Sequence, residues 1–431
     1  MVTLKNMTYL QISPFVHILL EPLNRKKYEI ELFYSSGGSW FETKQNRGKK
    51  HLLEHCIASR IKSMDYKTFK AYQFQENIFL NAFTSPLYMG LYSSGHKKDG
   101  HKMLDIVLEM AFMPTFDQAI LEQEKEVVLR EISERSGDPN YRLHYQTMSQ
   151  IFTPLSTENH QTLGDKEMVA QTTIQDFEQL HQENLEQSHI ILCLSGNAVK
   201  LEAVAEKVQN YLSLKENPLI QAVLGDSYKK PVNFSPPSAF QNFNILPIVS
   251  ELAHKHVDFT IYIPCKLDFT NKPASKVFEE LFLKYYGVLY SRLRDELGLV
   301  YGLHSSFDFE AQHLMINLSC EENYVKQIIF EIEEVFSNFK KHFDATKFRQ
   351  LKSIINKKVE ISKDSLGTET SLALNSLLTF GLPQNLDEYK AKIKKVSRDD
   401  VKELYSSLEK GLKTKKITIV SQNKEIEKYR V

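Results

Sequence analysis

The stretch His51-Leu52-Leu53-Glu54-His55 sets two imidazoles four residues apart, with a carboxylate directly before the second. On an α-helix, positions i and i+4 project from one face. Both rings can then reach a single metal ion, while Glu54 at i+3 stands beside the water such an ion would hold. Two ligands and a base thus come together, half of a catalytic zinc site. A catalytic zinc takes three protein ligands and keeps one position open, so a further ligand must come from elsewhere in the chain. Residues 120–135 carry Glu122, Glu124, Glu126, Glu131 and Glu134 among Val127, Val128, Leu129 and Ile132. Glu124 and Glu131, two turns apart, share one face of this amphipathic helix. Acidic residues on such helices are commonly solvated, and spacing does not choose among them. Another pair, His254 and His256, falls on one face of an expected strand without a third ligand nearby.

The elements that must position these groups occur twice. Leu87 to Ser93 reads as an apolar-aromatic strand, and Lys98 to Met113 as an amphipathic helix ahead of Phe116-Asp117. His313 to Ser319 alternates as a strand. Glu321 to Phe339 follows with Val325, Ile328, Ile332, Val335 and Phe336 at helical spacing, and then Phe343-Asp344. The offset is about 225 residues, and later elements keep it. Thr173 and Ser397 each offer a hydroxyl N-cap with a carboxylate three residues on, Asp176 and Asp400. Ile190 to Leu194 and Ile417 to Val420 read as closing strands. Short strands mixed with long helices, without strict β-α-β alternation, predict an α+β class duplicated in two homologous halves, each an antiparallel sheet with helices packed on one side. Residues 1–215 form the expected N-terminal half and 248–431 the C-terminal half. The intervening 216–247 is rich in proline, includes Ser235-Pro236-Pro237, and reads as a linker.

Composition narrows the partners. The 431 residues carry 54 Lys+Arg and 54 Asp+Glu, and a net charge of zero argues against a nucleic-acid partner. Cys56, Cys193, Cys265 and Cys320 are scattered without C-x-x-C spacing, so no disulfide framework is expected. No apolar run approaches the length of a membrane span and the amino terminus lacks a secretory pattern, so a cytoplasmic protein is expected.

The order H-x-x-E-H, inverted relative to the commoner zinc-peptidase helix, is followed some 75 residues later by Glu124-Lys125-Glu126-Val127-Val128-Leu129-Arg130-Glu131. Together these resemble the zinc motif of the pitrilysin family of inverzincin metallopeptidases, closest in size to its bacterial members similar to mitochondrial processing peptidases. The resemblance implies Zn²⁺ as cofactor, His51, His55 and Glu131 as its ligands, Glu54 as the base, and Glu124 as a supporting carboxylate. Ser36-Gly37-Gly38-Ser39-Trp40-Phe41-Glu42, Leu163-Gly164-Asp165 and the region from Leu382-Pro383 to Val401 also match, so the likeness spans nearly the whole chain. Asn81-Ala82-Phe83-Thr84-Ser85 is similar to the family's edge strand, which takes an extended peptide by backbone pairing. Leu293 to Tyr301 resembles the family's R-E-x-x-G-L-x-Y segment with Asp295 in place of its glutamate. Arg294 and Tyr301 match a pair that holds substrate and its developing oxyanion. Two stretches depart from the pattern: Cys56-Ile57-Ala58-Ser59-Arg60 after the helix motif, and Glu76-Asn77-Ile78-Phe79, which lacks the usual glycine. Phe74, Phe79 and Phe83 are placed to line a pocket for a bulky apolar side chain.

The resemblance implies a zinc endopeptidase acting on short or unfolded peptides inside a closed chamber. Because the family's chamber needs four homologous units and this chain supplies two, two chains are implied. A homodimer leads, since the zinc motif and the Arg/Tyr pair lie on one chain, and a heterodimer is the alternative. Two other functions stay open: a partner-dependent peptidase maturing a specific peptide, and a non-catalytic structural subunit of the same fold.

Overall fold

The computed structural model describes residues 2–4, 7–153, 161–213, 240–285, 287–309, 311–342 and 345–430. Seven strands form one sheet: β1 (Val2–Leu4), β2 (Met7–Ser13), β3 (Val16–Glu21), β4 (Lys27–Tyr34), β5 (Phe79–Thr84), β6 (Met89–His96) and β7 (Ile190–Ser195). Their order is β1-β2-β3-β7-β4-β6-β5. Five strands form a second sheet: β8 (Ile245–Val249), β9 (Val257–Pro264), β10 (Val300–Asp308), β11 (His313–Cys320) and β12 (Lys416–Ser421), in the order β10-β11-β9-β12-β8. Pairing is antiparallel except at β3–β7 and β12–β8, one parallel contact in each sheet. The duplicated α+β architecture is therefore present, and the repeat extends to details. Capping boxes close at both Thr173 and Ser397. The helices α3 (Gly100–Phe112) and Val325–Ser337 each begin after a 3-10 turn, Lys97–Asp99 and Glu322–Tyr324, and so start later than the apolar pattern suggests. Phe343-Asp344 lies outside the described residues.

Two expectations change. Residues 216–239 of the expected linker lie outside the described residues, and its end is a strand, because β8 starts at Ile245 and contains Pro247. A proline lacks the N–H of an interior strand, and β8 sits at the edge of its sheet, where that loss is tolerated. The chain also divides into two compact units that exchange helices. Pro139–Ile151 belongs to the second unit, and Lys363–Asn385, with the helix Thr368–Phe380, to the first. The contiguous halves 1–215 and 248–431 are thus each crossed by a segment of the other. The reason is burial. All six residues of β3 and all six of β7 are buried, which requires cover on both sheet faces. On one face lie α1 (Lys49–Ile57), α3 and Leu201–Leu212, through Leu52, Leu53, Leu104, Val107, Val204 and Val208. On the other, Ala373, Leu374 and Leu377 of the exchanged helix pack on Leu19, Phe33, Ile191 and Cys193.

A buried carboxylate holds that exchanged helix in place. Glu21, at the end of β3, accepts hydrogen bonds from the backbone N–H groups of Gly367 (3.0 Å) and Glu369 (3.4 Å) and from the Ser195 hydroxyl (3.1 Å). Acceptance at a helix N-terminus is favourable. Burial nevertheless pushes the Glu21 carboxyl up from 4.5 to about 6, the three hydrogen bonds only partly opposing it. Since the folded state holds this proton more tightly than the unfolded chain, the contribution is full below the unfolded value and is lost as pH rises through about 6. Urea unfolding of the wild type should therefore lose stability between pH 4.5 and pH 7. Glu21→Gln, which keeps an acceptor oxygen but no titration, should lose less over the same interval. Equal slopes would refute the assignment.

Candidate metal centre

The helix α1 has only nine residues, too few to be stable alone. Its start is fixed by tertiary contacts instead. Gly48 caps it in the left-handed region, φ 86°, and Gly164 lies against it at φ 68°. A Cβ on Gly164 would fall 2.2 Å from the Gly48 Cα, so the two glycines meet where no side chain fits. The Leu163-Gly164-Asp165 turn thereby gains a physical role: Asp165 also pairs with Arg47 at 3.6 Å. Glu42, closing the Ser36 to Glu42 loop, accepts from the N–H groups of Gly48 (2.9 Å) and Lys50 (2.8 Å), filling two of the helix's orphan donors. Burial pushes the Glu42 carboxyl up, opposed by those two donors and by Lys50 and Arg47. Lys50 is itself buried and donates to the Ser36 carbonyl at 2.7 Å, while Lys49 pairs with Asp176 at 2.8 Å.

Against α1 runs α4 (Gln118–Gly137). Its buried Leu121, Val128 and Ile132 form an apolar stripe, and Glu124 and Glu131 lie in the same stripe at i, i+3, i+7, i+10 spacing from Leu121. The packing that buries the leucine and valine therefore carries both carboxylates to α1. Glu124 Oε2 is 3.0 Å from His55 Nδ1. A carboxylate only accepts, so the ring donates from Nδ1 and leaves Nε2 as the lone-pair nitrogen. Glu131 Oε2 stands 3.9 Å from His51 Nε2 and 3.9 Å from His55 Nε2. The two rings are nearly perpendicular, 83°, with centroids 4.8 Å apart. Glu54 Oε2 lies 3.8 Å from His51 Nε2 and accepts from the Thr84 hydroxyl at 3.1 Å.

Two ligand bonds of about 2.1 Å span at most about 4.2 Å. The convergence of both imidazole nitrogens on one Glu131 oxygen therefore fits an ion of zinc's size. The electrostatics agree with a ligand set. Burial, together with the neighbouring His55, pulls His51 down to about 4, so its ring is neutral near pH 7. His51 Nδ1 is buried without a hydrogen-bond partner among the described residues. At His55 burial lowers the value, but the Glu124 hydrogen bond and surrounding carboxylates outweigh it and the net shift is upward. Burial raises Glu54 to about 7 against the opposing pull of His55 and Thr84. Among the described residues, His51, Glu54 and His55 form the one clustered group of potential metal-binding side chains.

Other predicted residues fall elsewhere. Asn81, Ala82 and Phe83 lie on β5, the sheet edge, whose far end Thr84 touches Glu54. Ala82 faces the core, whereas Phe83 packs edge-on to Phe33 and Tyr88. Phe83 therefore does not share a hollow with Phe74 and Phe79, which do line one together. Arg294 and Tyr301 belong to the second unit. The guanidinium lies 4.6 Å from the Tyr301 ring centroid and donates to the Val300 carbonyl at 3.2 Å, and Tyr301 is 84% exposed. His254 and His256 precede β9 rather than lying on a strand, and His256 pairs with Glu321 at 3.1 Å.

The counterpart of the metal centre in the second half is legible only after the repeat is applied. At the offset of about 225 residues, His51, Glu54, His55 and Glu131 fall on Lys276, Glu279, Glu280 and Asn356. There Lys276 sits 3.2 Å from Glu279 and 3.3 Å from Glu280, with Lys358 2.8 Å from Glu280. Ammonium groups thus neutralise the carboxylates at the position where the first half assembles its histidines.

The family model for insulinase, peptidase family M16, matches residues 33–166, and that for the peptidase M16 inactive domain matches 171–355. The chain belongs to peptidase family M16. A probable mitochondrial-processing peptidase subunit beta of Arabidopsis thaliana is 28% identical over 187 residues, 42% of this chain and 34% of its own length. The uncharacterized zinc protease YmxG of Bacillus subtilis is 25% identical over 160 residues, 37% of this chain and 39% of its own. The matches thus span well under half of those relatives. A protease from Helicobacter pylori shares the fold with a TM-score of 0.74 at 16% identity, covering 97% of this chain and all of that one. In this M16 chain the inactive-domain match, which begins at residue 171, covers the Lys276 cluster, while His51, Glu54, His55 and Glu131 fall in the other match. Among the described residues, no helix is long and apolar enough to cross a membrane.

The glycine contact makes a direct prediction. Gly164→Ala should destabilise the protein by about 2–4 kcal/mol in urea unfolding, from overpacking and from a Cβ at positive φ. A change under about 0.5 kcal/mol would show that α1 does not depend on the contact.

Proposed function

We propose that this chain is a zinc metalloendopeptidase acting on short or unfolded peptides. The convergence of His51 Nε2 and His55 Nε2 on Glu131 Oε2, with Glu54 beside them, carries the reading. His51, His55 and Glu131 hold the zinc. Glu131 is preferred to Glu54 as third ligand because Glu54 Oε2 is engaged by Thr84, whereas one Glu131 oxygen stands 3.9 Å from Nε2 of both histidines. Bound zinc supplies Lewis acidity to water and to the scissile carbonyl. Glu54 takes the proton of the attacking water and returns it to the leaving amine. In the metal-free protein burial holds the Glu54 carboxyl up at about 7, and its position beside both histidines suits it to move that proton. Glu124 fixes the His55 tautomer, a support whose loss commonly costs 10- to 100-fold in metal affinity.

The open edge of β5 at Asn81, Ala82 and Phe83 receives the peptide as an added strand, so backbone pairing accepts many sequences. Arg294 and Tyr301 hold the substrate carbonyl through a guanidinium fork and a phenol. The working unit is a homodimer enclosing a chamber. All four cysteines are buried and unpaired, which supports a reducing, cytoplasmic setting. The name of the Arabidopsis relative, a beta subunit, favours a second reading in which the chain matures a specific peptide only with a partner chain.

Glu54→Gln should retain one zinc per chain by elemental analysis and lose turnover by about 10³-fold. Glu131→Gln should lose the metal itself, and Glu124→Gln should bind it about 10- to 100-fold more weakly in a competition titration. Undiminished cleavage by metal-loaded Glu54→Gln would remove the base assignment. Broad cleavage of a peptide library by the purified chain alone supports the homodimeric oligopeptidase, and cleavage only after addition of a partner supports the second reading.

A further inference from the structure

A cavity of about 720 Å³ opens at the amino end of β5, apart from the metal centre. It forms where α2 (Tyr66–Glu76) turns into β5 through Asn77, held at φ 51°, and where β4 begins and β6 ends, since Lys27 pairs with His96 and Ser94 with Phe79. Phe74, 88% exposed, and Phe79, 57% exposed, give it an apolar wall. Lys26, Lys70 and His96 give it a basic one, and no aspartate or glutamate lines it. Lys27 also borders the cavity, but its charge is matched by Glu29. Neither Lys26 nor Lys70 forms an ion pair within 4 Å among the described residues; burial lowers the Lys70 pKa against the longer-range pull of Glu124, and its ammonium lies 5.7 Å from the Tyr66 ring centroid.

The cavity and the metal centre lie at opposite ends of one open strand edge. Thr84, at the carboxyl end of β5, donates to Glu54. Phe79 begins the strand five residues earlier, about 17 Å away at the usual rise. A peptide paired along this edge finds no further β5 backbone beyond Phe79, so the chain end and the end of pairing coincide at the cavity. A basic, carboxylate-free hollow attracts a C-terminal carboxylate and repels an N-terminal ammonium. The charge thus selects the antiparallel direction, in which the residues after the cleaved bond run from Thr84 towards Phe79.

We propose that this cavity is a subsite for the C-terminal carboxylate of a peptide substrate, with Lys26 and Lys70 meeting the carboxylate and Phe74 and Phe79 meeting an apolar terminal side chain. The proposal rests on the peptidase reading and adds to it a ruler: the bond cut lies about five residues from the substrate's C-terminus, the separation of Phe79 and Thr84 on β5.

Binding to zinc-loaded Glu54→Gln separates this proposal from turnover. Fluorescence anisotropy would compare a labelled peptide ending in a free acid, the same peptide as its C-terminal amide, and an amide with glutamate replacing the penultimate residue. The free acid should bind about tenfold more tightly than the amide, and the gap should close when Lys26→Met and Lys70→Met are added together. Lys26→Met alone should leave binding of the amide unchanged. Equal affinity for acid and amide, or a gap that survives both substitutions, overturns the proposal. Tighter binding of the glutamate amide than of the free acid overturns the terminal assignment and makes the site one for acidic side chains. In the active enzyme, peptides lengthened at the N-terminus should keep their cut at a constant distance from the C-terminus by mass spectrometry. Cuts that instead stay at a constant distance from the N-terminus overturn the ruler. If no peptide is cut with or without a partner chain, the peptidase reading fails, while the acid-to-amide gap in binding still tests the subsite.

Discussion

Everything at the metal centre depends on the hydrogen bond between His55 Nδ1 and Glu124 Oε2. It joins a nine-residue helix to a twenty-residue one that lies 69 positions away at the contact. The longer helix can supply rigidity because its apolar stripe is seated in the core. The shorter one cannot, and it borrows its orientation from the Glu124 contact at one end and from the Glu42, Gly48 and Gly164 contacts at the other. Both imidazole Nε2 atoms then stand 3.9 Å from one Glu131 oxygen. The low value at His51 and the high one at Glu54 share one cause, removal from water, which neutralises a base and an acid alike.

The sheet behind this centre sets a second constraint. Its middle strands are buried on both faces, and the face away from α1 is covered by a helix from the far end of the chain. That cover is anchored by Glu21, a buried carboxylate satisfied by two backbone donors and a hydroxyl. Among the described residues the strand β5 ends its sheet and pairs with β6 alone. An open edge invites uncontrolled pairing. Here it runs from Thr84, which donates to Glu54, to a basic aromatic hollow at Phe79.

Duplication leaves a single candidate metal centre among the described residues. The helix Lys272–Phe282 repeats the placement of α1, but Lys276 stands where the repeat places His51, and Glu280 where it places His55. A lysine among carboxylates satisfies the same local charge that a metal would, and the cluster is held by direct ion pairs at 2.8 to 3.3 Å. The second half is thereby free to serve the substrate through Arg294 and Tyr301 in the reading proposed above.

Much of this was legible in the residues themselves. The i, i+4 histidines declare one helix face, the capping boxes at Thr173 and Ser397 mark helix starts, and the strand at His313 ends within one residue of its pattern. Each of these is a local periodicity or a local hydrogen bond, which adjacent residues suffice to specify. The choice of Glu124 and Glu131 from five glutamates came from the motif resemblance and not from spacing, because helical spacing says which residues share a face but not which face meets another helix. The exchange of Pro139–Ile151 and Thr368–Phe380 and the separation of Phe83 from Phe74 and Phe79 were hidden. So was the purpose of Gly164, which is defined only by Gly48 packed against it. The sequence by itself determined the chemistry available and the repeat that carries it. Only the tertiary structure decided which carboxylates meet which imidazoles, because long-range packing, not local preference, brings α4 against α1.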